Sequence, residues 1–321
     1  MKRPTVVAIF GPTSSGKTDL SLRLIRRLAE ARGVEAAIIS ADSRQVYKYM
    51  NIGTNKPPLE IQKAFPHDLI DIREPTQALE LWEYQQMALK RIETMHARGQ
   101  LPLLVGGTGT YILSVIENWD IPRVKPDYGL REELNHLPVT KLYKQLQRAD
   151  PRSAQTVNKN NRLQIMRALE VLYGTSRSKT TFAKQRPSFD TVLLSPSVPR
   201  KALNRRIREN VDRQLSEGLT DEVLSLVRRY GLMSKHAKQG MKQRNQIFKT
   251  LGYREYIEHA RTRRANLFNL TPRDVSMIAA MIKKDTVAYA NRQIAWFNKM
   301  KTLTFIPHDD KALLRHIEAC L

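Results

Sequence analysis

The residues best equipped for chemistry lie in Gly11-Pro-Thr-Ser-Ser-Gly-Lys-Thr18, which fills every fixed position of the phosphate-loop pattern G-x-x-x-x-G-K-[ST]. Gly11 and Gly16 let the backbone turn tightly enough for successive N–H groups to point inward, and Pro12, Thr13, Ser14 and Ser15 complete the loop. Lys17 adds a positive charge and Thr18 a hydroxyl suited to Mg²⁺, so the expected guest is a di- or triphosphate. The motif leaves open whether that guest is an energy source, a phosphoryl donor or a leaving group. Two further polar residues have double readings. Asp42, in Ser40-Ala-Asp-Ser-Arg-Gln-Val-Tyr47, is either a base beside Lys17 or a turn aspartate. Thr108, in Gly106-Gly-Thr-Gly109, either caps a helix or faces the ligand.

These residues need elements to hold them. Val6-Val-Ala-Ile-Phe10 runs into the loop as a strand, and Leu20, Leu24 and Leu28 form an apolar stripe on a helix that Gly33 ends. Ala36-Ala-Ile-Ile-Ser40 and Leu101-Pro-Leu-Leu-Val105 lack alternation and read as strands buried on both faces. A helix over about residues 80–98 joins them. The alternation predicts an α/β fold, a P-loop NTPase-like doubly wound parallel sheet, with residues 11–18, 41–44 and 106–109 beyond the carboxyl ends of its strands.

After Trp119 the punctuation by Pro122, Pro126, Pro138 and Pro151 predicts an inserted all-helical domain, which returns to the sheet at Thr191-Val-Leu-Leu-Ser195. The domain reading is 1–121 for the first part of the core, 122–188 for the insertion, and 189–321 for the second, basic and mostly helical part. There a helix is expected near Asn204 to Ser216, and Ser234 to Arg244 reads as a loop. Thr271-Pro-Arg-Asp274 predicts the start of a long helix reaching about Met300. Val275, Ile282, Tyr289 and Trp296 fall seven apart and are expected to pack on the core. Asp285 and Arg292, on the next row, read as a solvated edge, an ion pair or phosphate ligands.

The 321 residues include 54 Lys and Arg against 31 acidic residues, a net charge of +23 that calls for a polyanionic partner. No apolar run is long enough to span a membrane, and Met1-Lys-Arg-Pro leads straight into the first strand, so a cytoplasmic protein is expected. The single cysteine, Cys320, excludes an internal disulfide and a cysteine-rich zinc module, which leaves an oxygen-bound metal, Mg²⁺.

In order and spacing, the phosphate loop, Ser40 to Tyr47, Asn51-Ile-Gly-Thr-Asn-Lys-Pro57, His67-Asp-Leu-Ile-Asp71, Val105 to Tyr111 and Arg167-Ala-Leu-Glu-Val171 together resemble the tRNA dimethylallyltransferase family. Gly218-Leu-Thr-Asp-Glu222, Gly252-Tyr253 and Arg292-Gln-Ile-Ala-Trp296 extend the resemblance over nearly the whole chain. It implies transfer of a dimethylallyl group from dimethylallyl diphosphate to N6 of the adenosine 3′ of the anticodon, by a monomer. Asp42 would be the base, with Lys17, Thr18 and Mg²⁺ at the diphosphate. Contacts to the tRNA anticodon stem-loop would come from Asp42, Ser43, Arg44, Gln45, Thr108, Leu163, Gln164, Ile165, Met166 and Arg167.

The chain departs from the family pattern at Gln164 and Asn210, where arginines are usual, and at Thr286-Val-Ala-Tyr-Ala-Asn-Arg-Gln293 in the last helix. On helical spacing Arg206 or Arg213 is expected to replace the charge missing at Asn210, and Arg167 that at Gln164. Two other classes compete. A P-loop small-molecule or nucleoside kinase would use the same loop with ATP and an Asp base after a neighbouring strand, but it gives no reason for the charge. A non-catalytic RNA-binding relative would keep the surface alone.

Overall fold

Continuous apolar runs flanked by helices leave no polar face to expose, and here they become a parallel sheet covered on both sides. A computed structural model describes residues 3–181, 183–233, 245–263, 266–298, 300 and 303–305, together with Leu313, Arg315 and Ile317. The run Ser234 to Arg244 and Cys320 lie outside the described residues. The strands are β1 (Thr5–Phe10), β2 (Ala36–Ser40), β3 (His67–Asp68), β4 (Leu101–Gly106), β5 (Asp190–Pro196) and β6 (Leu303–Phe305). Their order in the sheet is β3-β2-β4-β1-β5-β6, and every pairing is parallel. All six residues of β1 and of β4 are buried.

The helices are α1 (Lys17–Arg32), α2 (Leu59–Ala64), α3 (Leu81–Ala97), α4 (Gly109–Ile116), α5 (Tyr128–Asn135), α6 (Val139–Ala149), α7 (Pro151–Thr156), α8 (Arg162–Thr175), α9 (Arg200–Ser216), α10 (Leu219–Arg229), α11 (Arg254–Arg263) and α12 (Pro272–Phe297). Leu20, Leu24 and Leu28 of α1 are buried with Val7, Ile9, Leu103 and Leu194 from the strands. Gly33 ends α1 in the left-handed region at φ 63°, its N–H returned to Ala29 and Leu28.

The chain divides into two compact units. One comprises Met1–Leu79, Gln86–Ile112 and Ser188–Leu321; the other comprises Glu80–Gln85 and Leu113–Pro187. The second begins earlier than residue 122 and includes the start of α3, because Gln85 donates its amide to the carbonyls of Ser114 and Trp119 (2.7 Å each). Its core is Leu134, Leu142, Leu146, Ala154, Ile165, Met166, Ala168 and Leu169. Beside that core the buried Glu170 carboxylate takes bonds from Arg131 (2.6 and 2.9 Å) and Arg167 (3.2 Å).

α12 starts at the expected capping box, Thr271 and Asp274 exchanging backbone and side-chain bonds. Its buried line differs from the expected seven-residue row. Ile278, Ile282, Ala290, Gln293 and Phe297 are buried, whereas Val275, Tyr289 and Trp296 are only half-buried. A straight helix drifts about 20° per heptad, so a row of 21 residues leaves the buried face. Asp285 is neither a solvated edge nor a phosphate ligand but an ion-pair partner of Arg254 at 2.6 Å. Arg292 is exposed, with its guanidinium 6.0 Å from the centre of the Tyr289 ring.

Candidate active site

β1, β4 and β2 are neighbours, so the loops after Phe10, Gly106 and Ser40 meet at one end of the sheet. Close approach there requires the glycines after β4. A Cβ on Gly106 would sit 2.0 Å from the Ala41 carbonyl oxygen, and one on Gly109 would sit 2.1 Å from the Trp296 ring. A Cβ on Gly107 would lie 2.7 Å from Gln293 Nε2 and 3.8 Å from Lys17 Nζ. Any side chain at these positions would push the loops apart.

The phosphate loop has the expected form. Ser14 and Gly16 adopt φ values of 61° and 90°, and Gly16 precedes α1 without a side-chain cap, leaving the first N–H groups of a 16-residue helix for an anion. Lys17 Nζ donates to the Pro12 carbonyl at 2.7 Å. Burial lowers its pKa to about 8, and the nearby charge of Asp42 acts in the opposite direction. The exposed Thr18 hydroxyl has no partner among the described residues, while Ser15 Oγ is buried and likewise unpartnered.

At Asp42 the turn reading is met, with one oxygen left over. Oδ1 accepts the Arg44 N–H at 2.8 Å, as a turn aspartate does, and Oδ2 has no bond among the described residues. The carboxylate is near enough to Lys17 for the two charges to interact. Burial, then the charge of Asp42, pushes the Tyr289 hydroxyl up to about 12, which keeps it a neutral donor. Thr108 caps no helix with its side chain: its Oγ accepts the Ser43 N–H at 2.9 Å and donates to Ser43 Oγ at 3.2 Å, tying the β4 loop to the β2 loop.

Arg44 reaches Gln246 at 3.0 Å, and Gln45 donates to the carbonyls of Thr54 (3.3 Å) and Asn55 (3.1 Å). The other expected residues lie in the helical unit. Leu163 is 69% exposed, and Gln164 Oε1 accepts the Asn158 N–H. Ile165 and Met166 correct the expectation, since both side chains are core residues and cannot present themselves to a ligand. Arg167 is held by Glu170 and the Val124 carbonyl, which gives its charge a structural use rather than the role of Gln164's missing arginine.

The two arginines expected to replace a charge at Asn210 separate clearly. Arg206 Nη1 lies 4.0 Å from the Cβ position of Gly16 and has no ionic partner among the described residues. Arg213 turns instead to Asn210 (2.5 Å) and Glu217 (3.7 Å).

Residue reasoning missed Gln293. Its Oε1 accepts the Thr13 N–H at 2.9 Å and its Nε2 donates to the Gly107 carbonyl at 2.7 Å, so one buried amide clamps the phosphate loop to the β4 loop. The available signal was a polar residue on the apolar line of α12. Glu222 was also missed. Its carboxylate takes the N–H groups of Asn51, Ile52 and Gly53 and the Tyr253 hydroxyl at 2.7–3.1 Å. Gly53 must be glycine here, as a Cβ would meet the Tyr253 ring at 2.4 Å.

The donors present suit a hard, oxygen-seeking cation. A free hydroxyl on Thr18 stands beside the anion cradle, and no cluster of three acidic, His or Cys side chains among the described residues forms a separate metal cage.

Residues 45–300 match the family model described as IPP transferase. The chain is 37% identical over 309 residues to a tRNA dimethylallyltransferase of Roseiflexus sp. (strain RS-1), covering 95% of this chain and 93% of that one. The full-length tRNA isopentenylpyrophosphate transferase of Bacillus halodurans superposes with a TM-score of 0.65 at 31% identity, over 99% of this chain and 97% of that one. A eukaryotic dimethylallyltransferase acting on tRNA gives a TM-score of 0.78 at 25% identity, over 98% and 78%.

Proposed function

The chain belongs to the IPP transferase family, and from that premise we propose that it transfers the dimethylallyl group of dimethylallyl diphosphate to N6 of the adenosine 3′ of the anticodon, position 37, in tRNA. The observation that carries this reading is the juxtaposition of an anion cradle, a buried ammonium and a carboxylate with one free oxygen. A small-molecule kinase could use the same three groups, with the carboxylate as its base; the likeness to tRNA dimethylallyltransferases and the +23 charge favour alkylation of an exocyclic amine.

The amine lone pair of N6 forms a bond to the allylic C1 while the C1–O bond breaks and diphosphate leaves with the electron pair. Lys17 and the free N–H groups of α1 stabilise the charge that grows on the leaving oxygens. Asp42 Oδ2 accepts the N6 proton, and its turn bond to Arg44 fixes its direction. Tyr289, neutral at working pH, stands as a hydrogen-bond donor near that carboxylate. Arg206 supplies the second cation of the diphosphate site. Thr18 would hold Mg²⁺ together with the diphosphate oxygens, and the ion would offset charge on the leaving group.

The target base leaves its stack to reach this site. Asp42 to Gln45 and Thr108 line the base side, and Leu163 and Gln164 of the helical unit offer exposed contacts. No helix among the described residues is long and apolar enough to cross a membrane. A monomer working in the cytoplasm, where tRNA is available, is part of this proposal. The test is incubation with unmodified tRNA, Mg²⁺ and labelled dimethylallyl diphosphate, with labelled ATP in a parallel tube. Label on tRNA from the prenyl donor is expected. Label from ATP on a small acceptor would make the protein a kinase, and tRNA binding without either label would make it a binding protein.

A further inference from the structure

The last turn of α10 ends in Arg228 and Arg229, and each guanidinium stacks on an aromatic ring from a distant part of the chain. Arg229 lies 3.9 Å from the centre of Tyr49, and Arg228 lies 4.8 Å from that of Phe268. Both rings stay open to solvent, 39% and 44% exposed. Neither guanidinium has a carboxylate within ion-pair distance among the described residues; Glu74, the acid alongside, bonds Tyr230 at 2.7 Å and pairs with Lys48 at 3.4 Å.

Tyr49 is costly to the fold as it stands. Its φ of 64° is a left-handed conformation that glycine adopts freely and a bulky residue adopts under strain. An exposed ring recovers little of that cost through burial, and an exposed cation–π contact recovers only part. Strain that stability does not reward points to use. Arg229 feels the charge of Glu74 and bonds the Tyr230 hydroxyl, but neither arginine is locked in a short ion pair. Two flat π surfaces, each beside such a guanidinium, are the chemistry that single-stranded nucleic acid recognises: bases stack on the ring or on the guanidinium plane while the charge meets the phosphate. Paired A-form RNA hides its base faces and cannot use such a surface.

We infer that the end of α10, with Tyr49 and Phe268, is a stacking platform for unpaired bases of the RNA substrate, separate from the pocket of the reacting adenine. Tyr49 follows Asp42 to Gln45 in the same loop, and the Tyr47 N–H donates to the Arg44 carbonyl, so the platform is continuous in the chain with the base side of the site. The inference rests on the tRNA reading above.

The test measures binding of an unmodified anticodon stem-loop RNA and of a blunt RNA duplex of equal length, over a range of salt, to Tyr49→Gly, Tyr49→Phe, Phe268→Ala and Arg229→Ala. Tyr49→Gly suits the backbone and is expected to melt no lower than the native chain. It and Phe268→Ala are expected to lose about tenfold in stem-loop affinity, with the slope of log K against log salt unchanged, because stacking releases no counterion. Tyr49→Phe retains affinity. Arg229→Ala loses affinity and flattens the slope by about 0.7. Duplex affinity is unmoved by the ring variants. Stem-loop affinity within about twofold of native in both Tyr49→Gly and Phe268→Ala, or equal losses on duplex and stem-loop, overturns the platform. If the native protein transfers label to tRNA while the ring variants bind normally, the platform alone fails; if the native protein neither binds nor prenylates the RNA, the tRNA reading fails with it.

Discussion

At the scale of the residue, the site works by making a few polar groups scarce and then placing them. Lys17 is the clearest case: burial brings its pKa from 10.5 to about 8, so the free enzyme loses this charge just above neutrality. Diphosphate binding favours the ammonium and raises the pKa in the complex. The sign follows directly. Below about pH 8 the cation is present and affinity is flat; above it, each pH unit costs a proton and about tenfold in affinity until the pKa of the complex is reached. kcat/KM for dimethylallyl diphosphate is therefore expected to fall above pH 8, and Lys17→Arg should move that limb to higher pH, as guanidinium does not titrate there. Arg206 and Arg213 offer a second comparison, because one faces the phosphate loop and the other is spent on Asn210 and Glu217. Arg206→Ala should raise KM for the prenyl donor about 10- to 100-fold, the worth of a charge-assisted bond, whereas Arg213→Ala should leave it nearly unchanged. Equal effects in steady-state kinetics would remove Arg206 from the diphosphate site.

At the scale of the element, catalytic loops are held by polar clamps from the second half of the chain. Gln293 on α12 bonds Thr13 and Gly107 at once. Gln293→Leu keeps the volume, removes both bonds and strands two backbone groups, so a loss of about 2–4 kcal/mol in urea unfolding is expected together with a raised KM for the diphosphate. Gln293→Met with native kinetics would reduce the clamp to packing. Glu222 does for the 51–53 loop what a bound anion does for a nest of N–H groups. Since Gln45 leans on Thr54 and Asn55 of that same loop, Glu222→Gln should raise KM for tRNA while KM for the prenyl donor stays put. How far the sequence reveals this arrangement differs by element. β1, β2 and β4 are legible because buried parallel strands are unbroken apolar runs between helices, and β5, whose burial alternates, is legible from its short centre Val192 to Leu194. β3 and β6, of two and three residues, are too short to carry any period. The phosphate loop is legible because its function constrains adjacent residues. The glycines of 106–109 are visible as glycines, yet their reasons are Ala41, Gln293 and Trp296, which only the fold brings near. Ile165 and Met166 mislead for the opposite cause: a stretch can resemble a binding segment while one face of its helix, here Ile165, Met166, Ala168 and Leu169, packs inward.

At the scale of the whole molecule, charge is the property that local geometry leaves unexplained. Pairing with acids cannot use up the cations: 54 Lys and Arg stand against 31 acids, and the proposed diphosphate site engages Lys17 and Arg206. The remaining excess must act over the surface, where it attracts a polyanion from a distance and holds it by counterion release. The two substrates should therefore answer salt differently. Dimethylallyl diphosphate enters a site where its cation is buried and screening is weak, whereas tRNA meets charges open to a Debye length of about 10 Å at 0.1 M. If roughly five phosphates are neutralised, the logarithmic slope is about −3.5 to −4.5, and raising salt from about 50 to 200 mM should lower kcat/KM for tRNA by roughly 10²-fold or more. Over the same range, with tRNA kept saturating, KM for dimethylallyl diphosphate should change by no more than about threefold. Substrate-specific initial rates at each salt concentration separate the two. A shared steep response would place the polyanion effect at the diphosphate pocket, and a flat response for both would leave the +23 charge without a function in catalysis.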